Sequence, residues 1–193
     1  MKYLFKRLSK KYKTPRQVQR LINTFEYNKN DTQKSALTSY QTKCVHCLEA
    51  ALFAAAILEH HGYPPIVMSL ESQDNLDHVI FIFKAKNNKW GAVSQSRDNG
   101  LRGRAPAYRS LRDLAWSYFD PYIDKTGKIT AYQKANLDDI GLDWRLCKNN
   151  VWRVEDYLIE LKHIKLKSSL KRYKKFHKRH KKNGDLPQQK NWW

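Results

Sequence analysis

The chain has 193 residues, of which 41% are hydrophobic and 12% aromatic, and it carries a formal net charge of +19. That length and apolar content exclude a disordered chain and suffice for one domain with appendages. The charge points to anionic partners such as nucleic acid, or else to nothing more than a Lys-rich solvated surface.

Near the start, Thr14 followed by Pro15 has the pattern of a helix cap, and Val18, Leu21, Ile22 and Phe25 recur at helical spacing. A helix is predicted over about 15–27. Asn28 to Ser39 is polar and aperiodic and is expected to be a loop. From Cys47 to His61 the chain is apolar nearly all round, which predicts a buried helix ending at Gly62. Ile66 to Leu70, His78 to Lys84 and Trp90 to Ser94 predict three short strands of a small antiparallel sheet. Arg97 to Ala107 is a Gly/Arg/Pro loop. Ser110 is expected to cap a helix over about 111–119 that stops at Asp120 and Pro121. Ile123 to Asn150 gives no clear pattern.

Val151 to Lys182 predicts one long helix with a narrow stripe of Leu166, Leu170 and Tyr173, broken at Asn183-Gly184, beyond which the last residues are expected to fray. Eleven of the 37 Lys and Arg fall between Lys162 and Lys182, with no Asp or Glu. The expected organisation is an α+β domain over 1–150 and a basic helical extension over 151–193.

Cys44, Cys47 and Cys147 are too few for a disulfide framework, and an odd count without a secretory signal suits a reducing compartment. The basic N-terminus lacks an apolar signal core, and the longest apolar run, Ala50 to Leu58, is too short to span a bilayer. A cytoplasmic protein with no transmembrane segment is therefore expected.

The order of elements suggests chemistry. A thiol at a helix start, as at Cys47, sits in the positive end of the dipole, which favours thiolate. The free N–H groups of the same turn can hold an oxyanion. His78 opens a strand downstream, and an imidazole is suited to take the proton of such a thiol. A third group from the end of the next strand would fix the imidazole tautomer.

These residues carry a resemblance. Cys47 with its apolar helix to Gly62, then Asp77-His78-Val79, then Lys89-Trp90-Gly91-Ala92-Val93, resembles the transglutaminase-like superfamily with a papain-like fold. The resemblance implies that core, a buried helix bearing the cysteine on a small antiparallel sheet. It also implies Cys47 as nucleophile and His78 as base, acting on a peptide or amide substrate without metal or cofactor. The family's acidic third residue falls on Ser94, or on Gln95 if the strand slips by one. Neither holds an imidazolium by charge, although either accepts a hydrogen bond from it. Gln41, six residues before Cys47, matches the oxyanion-donating glutamine of papain-like peptidases.

Plainer readings stand beside these. A lone cysteine is often inert packing. Cys44 and Cys47 with His46 between them are also the makings of a metal half-site or a redox pair. Arg97, Arg102, Arg104 and Arg109 serve either to bind an anionic substrate group or as a solvated loop. Trp192 and Trp193 are either frayed or docked. A rival to the enzyme reading is a degenerate scaffold that binds nucleic acid or another anionic surface through 162–182.

Overall fold

The structure is a computed structural model, and it describes residues 3–123, 127–184 and 192–193. Its helices are α1 (Leu4–Lys11), α2 (Pro15–Ile22), α3 (Ala36–Thr42), α4 (Cys47–Leu58), α5 (Leu111–Tyr122), α6 (Trp152–Glu160) and α7 (Leu170–Asn183). Its strands are β1 (Glu26–Tyr27), β2 (Cys44–Val45), β3 (Ile66–Ser72), β4 (His78–Lys84), β5 (Trp90–Val93), β6 (Arg104–Tyr108), β7 (Ile129–Asn136) and β8 (Ile164–Lys165). The class is α+β. An antiparallel sheet of order β6-β5-β4-β3-β7-β8 forms the middle layer, and β1 and β2 make a separate parallel pair.

Alternation along β4 builds two cores. Val79, Phe81 and Phe83 join Val67 and Val93 beneath α4, while Ile80 and Ile82 join Met68 and Leu70 beneath α5. Because both faces are covered, the strand is a continuous apolar run rather than an alternating one. Every residue of α4 after Cys47 is buried, with α1, α2 and α3 wrapped around it. That explains an apolar surface on all sides. It ends in a short turn over 59–61, and Gly62 takes the left-handed φ of +78° that a side chain would resist.

The predicted three-stranded sheet has six strands. β7 lies within the stretch that gave no pattern, because ITAYQKAN buries Ile129, Ala131, Tyr132 and Ala135 but carries polar residues between them. The helix predicted over 15–27 stops at Ile22. Its carbonyl and that of Phe25 accept from the Gln95 side chain, at 3.2 and 3.1 Å, as the chain turns away. The expected loop over 28–39 closes into α3, capped by Ser35 Oγ accepting from Thr38 N at 3.3 Å.

The helix at 111 runs on to Tyr122 through Pro121. Proline cannot donate to the carbonyl four residues earlier. That carbonyl, Ser117 O, instead accepts from Arg104 Nη2 at 3.1 Å.

The single helix predicted over 151–182 is two helices. Leu161 is extended, Ile164 pairs with Tyr132, and Leu166 N donates to Thr130 O at 2.8 Å, which seats Leu166 in the second core. Val151, Val154 and Leu158 enter the first core, so residues beyond 150 contribute to both. The expected fraying of the last residues falls on 185–191, outside the described residues, and on the two tryptophans, which are docked. Trp192 is buried and bridges to Arg104, and Trp193 stacks on Phe83. No helix among the described residues is long and apolar enough to cross a membrane.

Candidate active site

Cys47 is the first residue of α4, half-buried, with its Sγ 4.0 Å from the carbonyl of Asp77. The strand that follows Asp77 starts at His78, whose ring is 4% exposed and leans on Tyr118 at 5.6 Å. Its Nε2 lies 2.8 Å from the carbonyl of Leu101 and 3.2 Å from Ser94 Oγ. A carbonyl only accepts, so Nε2 carries the hydrogen and Nδ1 is the ring nitrogen left for Cys47. Ser94 Oγ also reaches the carbonyl of Gln95 at 3.3 Å, to which it donates, leaving a lone pair for Nε2–H.

Cys47, His78 and Ser94, the three residues singled out in the sequence, therefore converge. Gln95 does not join them. Its carboxamide takes the two carbonyls of Ile22 and Phe25 and accepts from Ser96 N at 3.1 Å. Ser94 is held from behind by Gln19, fully buried on α2. Gln19 Oε1 accepts from Ser94 N at 2.9 Å and Gln19 Nε2 donates to Ser94 O at 2.8 Å. The side chain thus copies the bonding of a neighbouring strand at the end of β5.

A second imidazole, absent from the expectations for catalysis, flanks the thiol. His46 Nε2 donates to the carbonyl of Thr32 at 2.7 Å and lies 3.6 Å from Glu49 Oε1. Burial favours the neutral ring, but a hydrogen bond to Cys47, the charges of Cys47 and Glu49, and the Thr32 carbonyl together raise its pKa to about 9. Burial likewise opposes the Cys47 thiolate. Hydrogen bonds and positive charge from His46 and His78 outweigh it and hold the thiol well below its ordinary value.

Glu49 organises this end of the site. It is fully buried one turn into α4, and its carboxylate accepts from Asn28 Nδ2 at 3.0 Å, Thr32 Oγ1 at 2.9 Å, Lys34 N at 2.9 Å and His46 N at 3.1 Å. Lys34 Nζ adds an ion pair at 3.4 Å. A buried carboxylate needs such saturation. The result clamps the loop over 28–34 onto the helix start and brings the Thr32 carbonyl to His46. The sequence signal available for it was a charged residue three positions after His46 in an otherwise apolar helix, the spacing of a capping box.

Two clefts meet at the thiol. One, of about 660 Å³, is lined by His46, Cys47, the loop over 28–33 and Trp152 and Ile159 of α6; the other, of about 190 Å³, is lined by Cys47, His78, Ser96, Asp98, Leu101 and Tyr122. Tyr27 lines both, and burial together with the charges of Cys47, Asp98 and Glu49 pushes its phenol up to about 12.

The remaining candidates fall elsewhere. Gln41 is exposed on α3 and lines neither cleft. Of the four arginines, Arg97 lines both clefts and Arg109 is exposed. Arg104 is fully buried and belongs neither to substrate binding nor to a solvated loop. Its guanidinium donates to the carbonyls of Gly100, Arg102, Gly103 and Ser117 and lies between the rings of Tyr118 and Trp192, at 3.9 and 4.3 Å. All three cysteines are free thiols, and among the described residues no three His, Cys, Asp or Glu side chains group as metal ligands. Neither a family model nor a curated protein matches the chain.

Proposed function

We propose that the protein is a cysteine-dependent acyl transferase or amide hydrolase of transglutaminase-like, papain-like type. The observation that carries this reading is the half-buried Cys47 at a helix start, flanked by two imidazoles, one of them fixed in the tautomer that turns Nδ1 toward the thiol. The thiol proton passes to His78 Nδ1 as Sγ bonds to the substrate carbonyl carbon. The carbonyl oxygen becomes an oxyanion beside the free N–H groups of the first turn of α4 and the positive charge of His46. The C–N bond then breaks and the leaving amine takes the proton from His78, which leaves a thioester on Cys47. Water or a second amine attacks the thioester, loses its proton to His78, and releases Cys47 as the thiolate.

The test is alkylation by iodoacetamide across pH, with Cys44 and Cys147 of the same chain as internal references. Cys47 is expected to react fastest, with an inflection well below that of an ordinary thiol, and His78→Ala is expected to move that inflection up. Alkylation of Cys47 no faster than of the other two would overturn the reading.

A second reading concerns a different surface and rests on its own observation. On α7 the residues Lys171, Lys174, Lys175, Lys178, Lys181 and Lys182 are all exposed and share one helical stripe, while Tyr173 and Phe176 pack on the second core. Such a row supports binding of nucleic acid or another polyanion through phosphate-like contacts. It is compatible with the first reading.

A further inference from the structure

The two clefts at Cys47 differ in which imidazole they contain and in that the exposed apolar side chains of α6 line only the larger. His46 lines the larger and His78 the smaller. An amide nitrogen leaves only with a proton, so the leaving amine must lie on the side of the group that delivers it. His78 delivers it in the mechanism above, and the amine therefore belongs to the smaller cleft. The acyl group extends the other way, into the cleft of about 660 Å³.

That cleft has an unusual rim. Among the described residues six large hydrophobic side chains are left exposed, and three of them line it: Leu76 at 61%, Trp152 at 39% and Ile159 at 65%. Trp152 and Ile159 lie two turns apart on one face of α6, while Val154 and Leu158 of the same helix are buried in the core. Leu76, in the turn before β4, lines both clefts, so Trp152 and Ile159 are what set the larger one apart. Apolar side chains exposed together around a nucleophile mark a surface to be covered by ligand. Charges of both signs line the cleft, Lys29, Arg97 and the His46 ring against Asp31, Asp77 and Glu155, so no field of one sign selects an ionic group there.

We infer that the larger cleft is the acyl-side subsite and that it takes a bulky apolar side chain, aromatic or branched aliphatic, next to the carbonyl that Cys47 attacks. This rests on Cys47 being the nucleophile, and the experiment separates the two claims. Purified full-length protein is treated with acetyl-Phe, acetyl-Gly and acetyl-Asp chloromethyl ketones, in which the Cys47 thiolate bonds to the chloromethyl carbon as chloride leaves. Each rate is divided by that of iodoacetamide, which has no acyl side chain. The Phe probe is expected to exceed the other two by about tenfold or more, the discrimination an apolar pocket gives for a large group. Trp152→Ala and, separately, Ile159→Ser are expected to reduce that ratio at least severalfold, each measured against the iodoacetamide rate of the same variant. Both positions are exposed, so neither substitution threatens the fold. Fast iodoacetamide labelling without a preference for Phe, or with a preference that survives both substitutions, overturns the inference alone. Slow iodoacetamide labelling overturns the nucleophile and the inference with it.

Discussion

His78 hands its Nε2 hydrogen to a backbone carbonyl, that of Leu101, and only secondarily to the hydroxyl of Ser94. A main-chain oxygen fixes a tautomer as firmly as a carboxylate does but lends no negative charge to an imidazolium. Ser94 is then an auxiliary to a bond that survives without it. Ser94→Ala is expected to slow Cys47 alkylation by less than about fivefold, the loss of about 1 kcal/mol that one neutral hydrogen bond is worth. His78→Ala should cost far more. Pseudo-first-order alkylation rates at neutral pH check both, and a Ser94→Ala defect equal to that of His78→Ala would make Ser94 the principal orienter.

The His46–Cys47 pair dictates how stability depends on pH. The folded pKa of His46, about 9, stands above its ordinary 6.5, so its contribution is complete below about 6.5 and is lost as pH rises through about 9. Cys47 is shifted the other way, so its contribution is complete above its ordinary 9.0 and is lost as pH falls through its depressed folded value. Wherever the two ranges overlap, the slopes oppose each other. Urea denaturation should show a shallow plateau across that overlap and a fall as pH drops through the depressed Cys47 value, and Cys47→Ser should flatten that fall. In the same variant, the proton NMR titration of His46 should move down from about 9, because bonding to Cys47 is the largest upward influence on it.

Glu49 offers a test of how the site is held together. Removing the carboxylate strands the donors of Asn28, Thr32, Lys34 and His46 in a buried place. Glu49→Ala is expected to cost about 3 kcal/mol in chemical denaturation, as breaking one side of a buried charged network does. The loop over 28–34 should show faster amide exchange in the same variant.

How much of this was legible in the sequence varies by residue. Cys47 and His78 were, because each opens an element with an unmistakable apolar pattern and the two elements pack directly. Ser94 was, because it directly follows β5, whose pairing with β4 fixes its place. His46 was not. Its role depends on the Thr32 carbonyl, delivered by a polar loop without periodicity, and no pattern in 28–34 announces that it folds back on Glu49. Leu101 escaped for a more basic reason: it acts through its carbonyl, which every residue has. β7 was hidden by polar residues between its buried ones, and the break between α6 and α7 by a run of lysines that reads as helix until Leu166 is seen to need the core.

The lysine row of α7 makes a prediction in salt. If its six exposed lysines meet phosphates, log Kd for duplex DNA should rise with log salt concentration at a slope of up to about 5, near 0.9 per contact. Replacing Lys174, Lys178 and Lys181 by Gln should cut that slope by about 3. Fluorescence anisotropy from low to physiological salt measures it, and an unchanged slope would remove α7 from the contact.

The bridge between Arg104 and Trp192 bears on solubility as well as on packing. β6 is the outermost strand on its side of the sheet, and β5 already occupies its inner edge. Trp192 sits on the outer edge, with its indole held by the buried guanidinium. It occupies a hydrogen-bonding position to which a strand from another molecule would otherwise add. The cation that cements the interior also keeps this protective stopper in place. Loss of that tryptophan would therefore surface first as molecules joining edge to edge, before any failure of the thiol.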